Sequence, residues 1–114
     1  MTEANPIDFN MLQHLKEVLG NEMQWMLLEH FIAYAPQQYE QLNQAFENKD
    51  FDYLRYKSHQ FRGECLQMGA TLLGQVCKEL EEKAQTMQIA HIESCLEKLH
   101  YETQRAIAVL KQAH

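Results

Sequence analysis

The sequence predicts an all-α fold: an up-down antiparallel four-helix bundle with a short additional N-terminal helix. Three observations carry that expectation. Apolar residues make up 46% of the 114-residue chain, enough for one modest core. Glycine and proline are scarce, at four and two, while Leu, Glu, Gln, Lys, Ala and Met, all good helix formers, are abundant. Apolar positions recur with a period near 3.6 and not with a period of 2.

The elements follow from their punctuation. Asp8 is placed to cap a short first helix that stops at Gly20. Asn21 is the expected cap of a long second helix running to about Lys49. Pro36 falls inside it and removes one backbone donor, so a kink or a break is expected there. Asp50 caps a third segment, Phe51 to about Met68, and Gly69 ends it. A fourth runs from Ala70 to about Met87, with Leu73, Cys77, Leu80, Ala84 and Met87 as its stripe. A fifth runs from Ile89 to Lys111, with Ile92, Cys95, Leu96, Leu99, Ala106, Val109 and Leu110 facing the core. Trp25, Met26, Leu28, Phe31 and Ile32 read as packing residues of the second helix. Short turns between helices make neighbours antiparallel, and residues 1–114 are expected to form a single domain.

Composition also excludes functions. A net charge of -6 argues against a nucleic-acid binder, which needs cations to neutralise phosphates, and gives no support for binding an anionic membrane. The apolar runs are too short to span a bilayer, and the first residues lack the basic and apolar regions of a secretory signal. Three cysteines without a CxxC, Cys65, Cys77 and Cys95, read as reduced, mostly buried thiols of a cytoplasmic protein.

The stretch "YKSHQFRGECLQMGA", residues 56–70, carries the chemistry. At about 100° per residue, Leu54, Phe61, Cys65 and Met68 gather on one side of the third helix, which must face the core. His59 lies roughly 140° from the middle of that cluster, facing outward with Gly63 beside it. A mid-helix glycine costs about 0.5–1 kcal/mol relative to alanine. On an exposed face no packing reason repays that cost, whereas close approach of another surface to His59 does. Arg55, Lys57 and Arg62 are three of only ten cations in the chain. Two of them, Arg55 and Arg62, flank His59, where they would steady an anion such as a phosphoryl group.

These residues resemble the histidine phosphotransfer (HPt) family. In that pattern His59 takes the phosphoacceptor position, Phe61 the apolar one, Arg62 the basic one, followed by Gly63. Gly69-Ala70 closes the helix, and Cys77, Leu80 and Glu81 match a CxxLE on the next. The resemblance extends from about Ile7 to Leu110. It implies a carrier that accepts a phosphoryl group on His59 from a receiver-domain aspartate and passes it to another receiver domain. Those receivers would belong to response regulators or hybrid histidine kinases. The carrier needs no cofactor of its own, the partner supplying Mg²⁺, and would act as a monomer. Glu81 would orient the imidazole if the third and fourth helices are neighbours, Arg62 or Arg55 would pair with phosphoryl oxygens, and Gly63 would give the partner access. No P-loop or glycine-rich nucleotide motif is present, so the chain is expected to carry phosphate and not to make it.

Two positions leave the family pattern. Arg62 stands where lysine is usual, keeping the charge but not the geometry. Glu64 stands where a small residue is usual and is expected to point to solvent, on the surface where partners dock. Two other readings compete: a helical adaptor that docks a partner without phosphotransfer, and a metal-binding bundle. For the metal, one Glu-x-x-His (Glu97, His100) and the pair His91 and Cys95 are the only candidate ligands, too few for a site. His14, His30 and His114 have no motif around them.

Overall fold

The computed structural model describes residues 4–113; His114 lies outside them. Five helices follow in order: α1 (Phe9–Leu19), α2 (Asn21–Glu47), α3 (Phe51–Gln67), α4 (Thr71–Gln85) and α5 (Ile89–Gln112). Each of α2 to α5 packs against the next, and α5 returns to α2, which closes the bundle; α1 lies along α2. The core is the one the helical periodicity implies, with Leu28, Phe31, Leu42, Leu54, Phe61, Leu73, Leu80, Ile92, Leu99 and Leu110 all buried.

Local chemistry sets the ends. The Asp8 carboxylate accepts from the backbone N–H groups of Asn10 and Met11, and Asp50 accepts from that of Tyr53, so both are the caps expected of them. Asn21 is not a cap. It is the first residue of α2, and the cap position belongs to Gly20, at φ 88°, with no side-chain bond. Gly20 thus ends one helix and starts the next, a positive φ that glycine takes at least cost. Gly69, at φ 72°, ends the turn after α3, and its carbonyl accepts from the Asp8 N–H at 2.7 Å. A Cβ there would lie 2.7 Å from the Asp8 carbonyl oxygen, so α1 docks onto the end of α3 only because residue 69 has no side chain.

Other expectations change. Of the two outcomes expected at Pro36 the break does not occur; the second helix runs as one element of 27 residues. The prolyl ring sits on the exposed side, where water can serve the carbonyl that loses its donor. The fourth helix is shorter than expected. Met87 leaves it at φ 53° and is 63% exposed, so it extends no apolar stripe. Met26 is 62% exposed and Trp25 38% exposed, on the first turns of α2, where α1 packs. Among the described residues no helix is long and apolar enough to cross a membrane.

Candidate functional site

The site is built on the α3–α4 pair, whose close packing has a cause in the sequence. Gly74 is buried, and a Cβ added to it would lie 3.0 Å from Leu66 Cδ2. Without that methyl the two helices approach closely enough for Leu66 to lie against the α4 backbone. The pairs Leu66–Gly74 and His59–Glu81 fall on one antiparallel register, so the contact at one end sets the contact at the other. His59 Nδ1 lies 3.1 Å from Glu81 Oε1 and 3.3 Å from Oε2. The imidazole is 70% exposed and the carboxylate 24%.

That geometry selects a tautomer. A carboxylate only accepts, so Nδ1 carries the proton and donates it. The Nε2 lone pair is then the free nucleophilic position of a ring that stands mostly in solvent. Arg55, Tyr56, His59, Glu81 and Gln85 line one open cavity. Arg55 and Gln85 continue the same register one turn beyond His59 and Glu81. Arg62 is half-buried on the α4 side of α3 and outside that cavity, so of the two flanking arginines the structure gathers Arg55 with the imidazole. Gly63 is exposed, and a Cβ there would meet nothing within 4 Å. Its lack of a side chain is thus not required by the fold.

Glu64 does not point to solvent as expected. It is half-buried, and its Oε1 accepts from Tyr34 Oη at 3.1 Å across the α2–α3 interface. Burial, followed by the Glu64 hydrogen bond and charge, pushes the Tyr34 hydroxyl up to about 12. The helical wheel places Glu64 at the edge of the exposed arc of α3, where α2 reaches it.

Tyr56 and Gln85 were missed by the motif, although each is one turn from a motif residue on the same face. Tyr34 has no such signal: it is 30 positions from Glu64, and no local spacing reveals the pair. The cysteines are free and buried. Burial and the neighbouring Cys77 raise the Cys65 thiol well above its ordinary value, and burial with nearby Glu79 raises Cys95, which disfavours the reactive thiolate in both. Among the described residues no three His, Cys, Asp or Glu side chains converge as metal ligands. His91 pairs instead with Gln88, and His100 packs on the Tyr39 ring.

The model of the Hpt domain family matches residues 26–113. The fold superposes on histidine-containing phosphotransfer protein B (HptB) from Pseudomonas aeruginosa PAO1 with a TM-score of 0.91 and 30% identity, covering 97% of this chain and 96% of that one. It superposes on the histidine-containing phosphotransfer protein ZmHP2 from maize with a TM-score of 0.76, covering 96% and 87% of the two chains. At 20% identity that second likeness is one of fold. Comparison with curated proteins gave no match.

Proposed function

The chain belongs to the Hpt domain family, the histidine phosphotransfer domains of phosphorelays, and we propose that His59 is its phosphoacceptor, loaded by the aspartyl phosphate of one receiver domain and unloaded onto the aspartate of another. The observation that carries this reading is the His59–Glu81 contact, an imidazole fixed through Nδ1 with Nε2 left exposed.

The chemistry balances with the groups at hand. The Nε2 lone pair attacks phosphorus, the N–P bond forms, and the P–O bond to the partner's aspartate breaks, returning a carboxylate to the partner. Positive charge builds on the ring as the bond forms. Glu81, hydrogen-bonded at Nδ1, stabilises that charge and holds the ring plane in place. The phosphoryl oxygens gain a cation from Arg55 on the cavity side or Arg62 on the α4 side. Transfer to the second receiver is the same step reversed on a new aspartate. Mg²⁺ fits the partner better than this chain. Among the described residues the one carboxylate that touches His59 is Glu81, already engaged with the ring, so the metal that neutralises the transferring group would arrive with the receiver.

The test is direct. Incubated with a labelled phospho-receiver and Mg²⁺, the wild-type chain takes up acid-labile label, and His59→Gln takes up none while its melting temperature is unchanged. Equal labelling of the two proteins would falsify the assignment. Receiver binding without any label on the wild type would make the chain an adaptor.

A further inference from the structure

The two edges of the exposed arc of α3 differ: both arginines lie on the α4 edge, while the α2 edge carries Lys57 and, two turns on, the carboxylate of Glu64. Arg55 and Arg62 lie toward α4, with His59 and Glu81. Glu64 lies toward α2, where Tyr34 holds it. Between the two edges sits Gly63, with open space above it. A surface that reaches His59 over this gap also passes over Glu64.

Glu64 stands at the wall of a small groove between α2 and α3, floored by Leu27, Phe31 and Met68. One carboxylate oxygen is committed to Tyr34 at 3.1 Å, while Oε2 has no partner among the described residues. Tyr34 is itself fixed. It stacks on His30 at 5.2 Å and meets the Phe61 ring edge-on at 6.4 Å. The result is a small, mostly apolar groove, lined also by His30 and Gln67, with the Glu64 carboxylate at its edge. Long cationic side chains have that complementarity, since their methylene stems cover apolar surface and their heads seek an anion.

We infer that this groove seats one lysine or arginine side chain of the receiver domain that docks over His59, its stem on Leu27, Phe31 and Met68 and its charged head on Glu64. The inference rests on the phosphorelay reading for the identity of the partner as a receiver domain. Its reach is sufficient. Glu64 is five residues from His59, about 7.5 Å along the helix axis and about 140° around it. On the surface of a helix that is a separation on the order of 10–15 Å. An ordinary interface buries about 800 Å² per partner, a disc of roughly 16 Å radius, so a receiver centred on His59 covers the groove. The two edges then do different work. The arginine edge faces the acidic phosphorylation pocket of the receiver, and the Glu64 edge faces its basic side chain, so the pair of charges fixes the direction in which the partner lies.

The experiment is calorimetric binding of a panel of isolated receiver domains, at two salt concentrations, to wild type, Glu64→Gln, Glu64→Lys and Tyr34→Phe. Glu64→Gln keeps the shape and the bond to Tyr34 but removes the charge. For receivers that bind, it is expected to weaken affinity about five- to tenfold and to flatten the salt dependence. Glu64→Lys weakens it further, and binding returns when the facing lysine or arginine of the receiver is changed to glutamate. Tyr34→Phe has a smaller effect in the same direction, because the carboxylate is then free to swing. Wild-type affinity and salt dependence in both Glu64 variants would overturn the groove, even where His59 still carries label. Glu64-dependent binding without label on His59 would leave the groove standing and remove the carrier. Absence of binding by every receiver would remove both.

Discussion

The two sides of α3 obey different rules. The inner side, with Leu54, Ser58, Phe61, Cys65 and Met68, is buried throughout. Even Ser58 fits there only because its hydroxyl donates back to the Leu54 carbonyl at 2.7 Å. Each residue on that side is dictated by space and by hydrogen bonding. The outer side, with Tyr56, His59 and Gly63, satisfies no demand of the fold. The imidazole stands mostly in solvent, and the glycine has nothing near it. A helix left to its own energetics would place alanine, lysine or glutamate there. Residue choice on the inner side therefore reports stability, and residue choice on the outer side reports use.

The sharpest way to break this division is to exchange the two kinds of loss. Phe61 is fully buried, between Phe31 at 6.2 Å and Tyr34 at 6.4 Å. Phe61→Ala is expected to cost about 3–5 kcal/mol in urea unfolding, a large share of the stability of a domain this size. His59→Gln, two residues away, should fall within about 0.5 kcal/mol of wild type. Similar costs for the two would mean that His59 is structural.

Glu81 belongs to both sides, since it leaves α4 at the rim of the core and ends on the imidazole. Glu81→Ala frees the ring to rotate and to change tautomer. Phosphotransfer should slow roughly 10–100-fold, the range found when the partner that orients a functional imidazole is lost. Glu81→Gln retains an accepting oxygen and should recover part of the rate. Labelling time courses at saturating receiver separate this from weaker docking. An unchanged rate in Glu81→Ala would reduce the contact to an ordinary surface hydrogen bond.

What the sequence made legible divides along the same line. The inner side could be read because burial imposes a period, and the period places Leu54, Phe61, Cys65 and Met68 together with no tertiary information. His59 and Gly63 were legible as exceptions to that period. Their partner across the interface was legible only as a candidate. Glu81 lies in register with His59 because Gly74 lets Leu66 approach α4, and nothing in local spacing measures that approach. Glu64 was misjudged for the same reason: the wheel gives its angle, but the presence of Tyr34 at that angle is a property of α2. Met87 was misplaced because a helix that stops a residue or two early leaves no mark in hydropathy, and Asn21 because a helix that starts one residue early leaves none either.

Gly63 offers a finer cut, because fold and function pull in opposite directions there. A Cβ meets no atom within 4 Å, so Gly63→Ala is expected to stabilise the chain by about 0.5–1 kcal/mol through helix propensity. Under the proposed phosphotransfer the same methyl would enter the space a docking receiver needs. Transfer should slow roughly tenfold in Gly63→Leu, and less in Gly63→Ala. A gain in stability with undiminished transfer in both variants would show that no partner crosses the gap.

The smallest effect concerns Tyr34, at the boundary between the two sides. Its hydroxyl titrates near 10 in an unfolded chain and is pushed up to about 12 in the fold, first by burial and then by the Glu64 hydrogen bond and charge. A group whose folded pKa lies above its unfolded one contributes stability that is complete below pH 10 and is lost as pH rises toward 12. Wild type should therefore lose stability over that interval more steeply than Tyr34→Phe, which has no proton to release. At neutral pH the variant lacks one hydrogen bond and should differ by only about 1 kcal/mol. Denaturation midpoints at pH 8, 10 and 11 make the comparison, and parallel slopes for the two proteins would mean that the Tyr34 hydroxyl is neither buried nor held by Glu64. Since Glu64 would then be free to face solvent, that result would also return it to the outer side of α3, where its charge would act on partners without a fixed direction.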